Sequence, residues 1–129
     1  RLRAMKIEWN TGLITHLGIE FVEVTPDRVV ARLKVSEKLM TVGGTVHGGT
    51  LMAFADTIGA AGTAANLAEG QRTATLESKT NFIAGCRSGT LQAEAKPIHK
   101  GKRTHVWETR ITDEKGKLLS VTTQTQMIL

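Results

Sequence analysis

Tyrosine is absent from the sequence, and only three phenylalanines and two tryptophans supply its aromatic rings. A single-strand nucleic-acid binder lays out aromatic platforms on which bases stack, and this chain has too few of them, so a nucleic-acid partner is not expected. The net charge of +5 still asks for an anionic partner, and a phosphorylated small molecule meets that demand. The basic residues are scattered apart from one cluster, Lys100, Lys102 and Arg103. Cysteine occurs once, as Cys86, which excludes an internal disulfide and a Cys-based metal site and fits a reducing cytoplasm. The basic start RLRAMK leads into Ile7, Glu8, Trp9 and Asn10, not into the apolar run of a secretory leader. Long hydrophobic runs are also missing, with one exception. The window from Gly49 to Leu67 is long enough to span a bilayer. It is mostly Ala, Gly and Thr, however, with Asp56 near its middle, at a cost of about 2.5–3.5 kcal/mol on insertion scales. A buried helix is the better reading, and no membrane partner is expected.

That window is the most informative stretch present. A glycine pair, Gly48 and Gly49, stands before a helix over Gly49–Leu67 that ends near Glu69 and Gly70. Apolar residues go all round it, so other structure is expected to wrap it. Asp56 is its one charge. A lone carboxylate among apolar residues is costly to desolvate, and such groups tend to serve chemistry.

Around the helix the pattern changes from period 3.6 to period 2. A short helical stripe at Leu13, Ile14 and Leu17 follows a cap at Asn10 or Thr11. Strands are expected at Phe21–Thr25 and Val29–Val35, flanking the turn Pro26, Asp27, Arg28. After the helix come Thr73–Ile83, Leu91–Ile98, Arg103–Thr112 and Leu118–Met127, the last two joined by a turn at Asp113 to Gly116. Pro97 marks an edge or a bulge. No repeat or linker interrupts the chain, so residues 1–129 read as one domain. The order is a short helix, two strands, the long helix and four strands. One sheet can curl round one helix, and its free edge invites a second copy.

Gly44, Thr45, Val46, His47, Gly48 and Gly49, with Ala55 and Asp56 on the helix, resemble the hotdog-fold acyl-CoA thioesterases, in particular the phenylacetate-degradation (PaaI-like) branch. His47 and Asp56 have that family's nine-residue spacing between a His-Gly-Gly and an acid. Thr80, Asn81 and Phe82, the run His99 to Arg103, and Asp113 to Gly116 resemble the same branch, so the likeness spans about residues 10–129. It implies an α+β hotdog fold, with five or six antiparallel strands wrapping the central helix. It implies hydrolysis of an acyl- or aryl-CoA thioester with no cofactor and no metal, in a homodimer or a dimer of dimers whose sites lie between subunits. One position departs from the family: six residues before the His, where Asn or Gln is usual, stands Thr41, which has a hydroxyl but a shorter reach.

Each candidate also has a plain structural reading. Gly48 and Gly49 serve a tight turn, or the Gly48 N–H at a helix N-terminus stabilises charge developing on the thioester oxygen. Asp56 is a capped buried carboxylate, or it is the nucleophile or general base, and the sequence does not separate those two roles. His47 holds the loop backbone or takes part in the site. Thr75 is chosen for strand propensity, or it helps to hold water. Arg87, Lys100, Lys102 and Arg103 are a solvated face, or they clamp the phosphates of CoA. His99 and His105 read as surface or CoA-side groups on one strand face. A hotdog dehydratase would carry a different acid–base His and a Pro-rich approach to the helix, which this chain lacks. A non-catalytic acyl-CoA-binding protein is the alternative that Thr41 keeps open.

Overall fold

A computed structural model of the chain describes residues 7–129. A short helix α1 (Gly12–Leu17) leads into β1 (Glu20–Thr25) and β2 (Arg28–Lys34). A 3-10 turn at Glu37–Leu39 precedes the long helix α2 (Gly48–Ala64). Four strands follow: β3 (Thr73–Phe82), β4 (Thr90–Lys100), β5 (Thr104–Thr112) and β6 (Leu118–Ile128). They form one six-stranded sheet in the order β1-β2-β4-β5-β6-β3, with every neighbouring pair antiparallel. The helix lies on the inward face of that sheet, which is the α+β hotdog arrangement expected from the sequence.

Small residues let the helix lie close. On β2 and β4 the inward positions include Ala31, Ala93 and Ala95, all fully buried around Leu33 and Leu91. On the helix, Gly59 and Gly62 leave two notches. A Cβ on Gly59 would stand 2.2 Å from Gln124 Oε1, and one on Gly62 would stand 2.4 Å from the Trp107 ring. A side chain of the sheet fills each notch. Phe54 and Ile58 complete the buried centre.

The strand boundaries follow the alternation closely. Pro97 sits at a register shift between β4 and β5, beyond Ala95, where the pairing of β4 with β2 stops, so its missing N–H interrupts no ladder on that side. The turn after β5 is held by Asp113 Oδ1, which accepts from the N–H of Lys115 and of Lys117, each at 2.9 Å, while Gly116 takes the left-handed backbone (φ 83°).

Two expectations need correcting. The helix stops at Ala64 rather than Leu67, because Asn66 turns the chain. Its Nδ2 donates to Gly62 O at 2.8 Å and to Pro26 O at 2.9 Å, which ties the helix end to the β1–β2 turn. Nor is the helix covered all round. Met52 is exposed, and Ala53, Asp56, Thr57 and Ala60 are only half-buried, so one stripe of α2 faces away from the sheet. Beside it runs β3, an edge strand on which Leu76 and Phe82 are exposed, followed by exposed Ile83.

Candidate active site

The approach to α2 is a tight loop. Met40 and Val46 form an isolated bridge, and Gly43 and Gly44 turn the chain with φ of 85° and 81°. Thr41 sits at the root of this turn. Its N–H donates to Thr45 O at 2.7 Å and its carbonyl accepts from the Gly44 N–H, while its hydroxyl has no hydrogen-bond partner among the described residues. Arg87 pins the turn from outside, donating to Gly43 O at 2.8 Å.

His47 is the residue that caps the helix. Its backbone is extended, and its Nδ1 accepts the N–H of Gly49 at 2.7 Å. The ring folds over the next turn so closely that a Cβ on Gly49 would stand 2.9 Å from Nδ1. The plain reading of His47, a loop-holding histidine, therefore describes what its side chain does within one copy of the chain. Gly48 is different. Its N–H points out of the first turn with no partner among the described residues, at the positive end of the helix dipole. The Phe82 ring lies over it, 3.1 Å from where a Cβ would stand. Val46, Leu51, Phe82, Ile83 and Ala84 line a hollow of about 350 Å³ beside Gly48. None of these side chains is charged.

Asp56 lies two turns along the helix on the half-exposed stripe. Its Oδ1 accepts from Thr75 Oγ1 at 2.6 Å and from Gln124 Nε2 at 3.2 Å. Thr75 is thus brought to Asp56 as a direct partner. The full desolvation expected from an all-apolar helix is not present, because this side of α2 is uncovered and two donors reach the carboxylate.

The sequence reading missed two glutamines here, Gln124 and Gln126, both buried beneath Asp56 and Thr75. Their signal was available. The inward positions of β6 are Ser120, Thr122, Gln124 and Gln126, an entirely polar row where a hydrophobic one would be the default. Buried amides are costly unless hydrogen-bonded, so such a row implies a polar network.

The four basic residues do not form one cluster within a copy. Arg87 stands at the N-terminal end of α2. Lys100 is at the opposite end, where its Nζ donates to Asp27 Oδ1 at 2.6 Å, Asn66 Oδ1 at 3.2 Å and Pro26 O at 3.3 Å. An ammonium has three hydrogens, and all three are committed. Lys102 and Arg103, in and beside the β4–β5 turn, make no side-chain hydrogen bond among the described residues.

His105 corrects an expectation. It is buried on the same alternate row of β5 as Trp107, Thr109 and Ile111, while the bulge between Pro97 and His99 in β4 takes His99 off the inward row of Leu91, Ala93 and Ala95, so the two histidines do not share a face. Trp107 Nε1 donates to Thr63 Oγ1 at 2.8 Å, and the same hydroxyl shares a hydrogen bond with His105 Nδ1 at 3.1 Å. Burial, with Lys100 and His99 nearby, holds its pKa below the ordinary value of 6.5. Among the described residues no group of three His, Cys, Asp or Glu stands close enough to hold a metal. No described helix is long and apolar enough to cross a membrane.

Comparison with known proteins bears on this arrangement. The thioesterase superfamily model matches residues 43–120, which include the loop, the helix and the first strands after it. A 1,4-dihydroxy-2-naphthoyl-CoA hydrolase of Listeria monocytogenes is 37% identical over 85% of this chain and 89% of its own length. A mutant thioesterase of Pseudomonas aeruginosa superposes with a TM-score of 0.92 at 25% identity, covering 100% of this chain and 94% of that one. A Staphylococcus aureus thioesterase was solved with a Gln replaced by Ala (TM-score 0.89, 29% identity, 92% of this chain and 98% of that one). The same protein was also solved with a Glu replaced by Ala. The chain belongs to the thioesterase superfamily, as a thioester hydrolase with the hotdog fold.

Proposed function

We propose that the chain hydrolyses an acyl- or aryl-CoA thioester at a site shared between two copies, with Gly48 from one and Asp56 from the other. The Gly48 N–H holds the thioester oxygen as negative charge develops on it. Asp56 then acts in one of two ways. As a base it takes a proton from a water whose oxygen bonds the carbonyl carbon. As a nucleophile it bonds that carbon itself, and CoA leaves as the thiolate.

The observation that carries this reading is a distance. Gly48 and Asp56 are eight residues apart on one helix, which at 1.5 Å per residue is about 12 Å. A reacting carbonyl must lie within about 3 Å of the oxyanion donor and within reach of the base. One copy cannot present both groups to one carbonyl; two copies packed with their half-exposed helix stripes and β3 edges together can.

Supporting features agree. The hollow beside Gly48 is apolar and suits an uncharged acyl or aryl group, and the Listeria relative is named for an aryl-CoA. The Gln and Glu replaced in the S. aureus enzyme are fifteen positions apart in its sequence, as Thr41 and Asp56 are here. Thr41 then takes the place of an amide, with its hydroxyl free. Arg87, Lys102 and Arg103 are the cations left to meet the CoA phosphates, and Lys100 would have to leave its own partners to join them. The lone free Cys86 fits a cytoplasmic setting. The whole chain acts as one hotdog domain.

Two inactive variants test the shared site. Gly48 is the first helical residue, where proline is well tolerated, and His47 before it is already extended. Gly48→Pro therefore removes the proposed oxyanion donor while keeping the helix. Mixed and reassorted with Asp56→Ala, it should recover about a quarter of wild-type thiol release, because half of the dimers are mixed and each of those has one intact site of two. A mixture as inactive as its parents, with reassortment shown by mass spectrometry, would contradict the shared site.

A further inference from the structure

We propose that Gln124 and Gln126 are positioning residues that hold Asp56 through Oδ1, so that the carboxylate reacts through Oδ2. The inference rests on the role given above to Asp56, and it starts from the buried polar row of β6.

The orientation of both amides in this network is fixed from its two ends. At one end Gln124 Nε2 lies 3.2 Å from the backbone oxygen of Asp56, which is only an acceptor, so the amide nitrogen must face it. The same nitrogen lies 3.2 Å from Asp56 Oδ1 and 2.8 Å from the side chain of Gln126, whose facing atom must then be Oε1. At the other end Thr73 Oγ1 donates to Met127 O at 2.8 Å, so it accepts from Gln126 Nε2 at 2.9 Å. Flipping either amide would set donor against donor or acceptor against acceptor.

Within this frame Thr75 Oγ1 lies 2.6 Å from Asp56 Oδ1 and 2.6 Å from Gln126 Oε1. The hydroxyl has one hydrogen; given to the carboxylate, it leaves Gln126 Oε1 to accept from the Gln124 amide at 2.8 Å, so Thr75 and Gln124 both hold Oδ1 and Gln126 holds Gln124. Asp56 Oδ2 has no hydrogen-bond partner among the described residues. One carboxylate oxygen is held by buried groups and the other is left open on the half-exposed helix stripe. Gly59 belongs to the same device. With any side chain there, a Cβ would stand 2.2 Å from Gln124 Oε1 and the amide could not reach the helix. Aiming a reacting group in this way supports turnover more than substrate affinity.

Gln124→Met keeps length and volume and removes the donor. The assay substrate is whichever of benzoyl-, phenylacetyl-, hexanoyl- or 1,4-dihydroxy-2-naphthoyl-CoA the wild type turns over fastest. The expected result is a kcat at least about tenfold lower, with KM within about twofold and the melting temperature near wild type. Gln126→Met, one step further from the carboxylate, should lower kcat less. Asp56→Asn is measured alongside. If it is inactive while folded Gln124→Met keeps wild-type kcat, or changes only KM, the positioning role is overturned and the role of Asp56 stands. If Asp56→Asn is itself active, the reading of Asp56 falls and the positioning role with it. Should Gln124→Met fail to fold, the side-chain amide protons of Gln124 decide by NMR in the wild type. Their resonances should move and exchange faster with solvent in Asp56→Ala, and unchanged resonances would overturn the contact.

Discussion

Helix α2 has two flanks on the same sheet, and they are built from different chemistry. Toward β2 and β4 it meets Ala31, Leu33, Leu91, Ala93 and Ala95, side chains that ask only for volume to be filled. Toward β6 and β3 it meets Gln124 and Thr75, backed by Gln126 and Thr73, which ask for donors to face acceptors. Hydrocarbon packing is non-directional, so the first flank is specified by size. Hydrogen bonds carry direction, so the second flank is specified by orientation, and a buried polar group left unpaired there costs about 1–3 kcal/mol. The first flank holds the helix against the sheet. The second aims the one carboxylate that the helix carries.

Substitutions that strike one flank should leave the signature of the other intact. The largest effect is expected at Asp56. Asp56→Ala should lower thioester hydrolysis at least about a hundredfold, the scale of a lost base or nucleophile, with the fold retained. Near-wild-type thiol release by a folded Asp56→Ala protein would remove the polar flank from the chemistry.

A methyl group added to each notch sharpens the contrast. Gly62→Ala drives a Cβ to 2.4 Å from the Trp107 ring, an overpacking that costs about 1–3 kcal/mol against a helix-propensity gain of about 1 kcal/mol. Thermal unfolding should show a lower melting temperature, with kcat of the remaining folded protein unchanged. Gly59→Ala pushes instead on Gln124 and should be read out mainly in kcat.

The third test lies in the loop before the helix. If the free hydroxyl of Thr41 holds water or the carbonyl, Thr41→Val should lower turnover about tenfold, the worth of one hydrogen bond to developing charge. Thr41→Asn should keep or raise it. Wild-type speed in Thr41→Val would leave the carbonyl to Gly48 alone. A wild type that binds acyl-CoA without hydrolysing it, and gains hydrolysis on Thr41→Asn, would favour a binding role.

The smallest effect concerns His105, on neither side of the chemistry. Its native pKa lies below 6.5, chiefly because it is buried. As pH falls through 6.5 the unfolded chain takes up this proton before the native one does, so stability declines on the acid side and is unaffected above it. His105→Asn, which keeps a hydrogen-bond partner for Thr63, should flatten the fall in melting temperature between pH 7.5 and pH 5.5. An unchanged slope would assign the acid sensitivity to other groups.

The apolar flank was legible in the sequence because period and composition agree there: Leu91, Ala93 and Ala95 alternate, and the helix is unmistakably apolar. Its end was misplaced by three residues because the stop comes from Asn66 bonding Pro26, a contact forty residues away in sequence. The polar flank was harder. Asp56 and Thr75 stood out by charge and by likeness to the family, yet the inward row of β6 was passed over because Thr and Gln in a strand read as a solvated face. Arg87 and Lys100 look like members of one basic group, and only the topology shows that they stand at opposite ends of α2. His105 follows the alternation of Trp107 and Ile111 inward; what alternation could not foresee was the β4 bulge that separates His99 from it.

The 12 Å along α2 between Gly48 and Asp56 has a kinetic meaning as well. If no copy can complete a site by itself, catalysis obeys mass action in the protein. Well below the dimer dissociation constant, the fraction of chains that can turn over is proportional to the total concentration, so specific activity falls with dilution and returns on concentration. An acyl-CoA that bridges both copies would shift that equilibrium toward assembly, and substrate would then recruit the second half of its own active site.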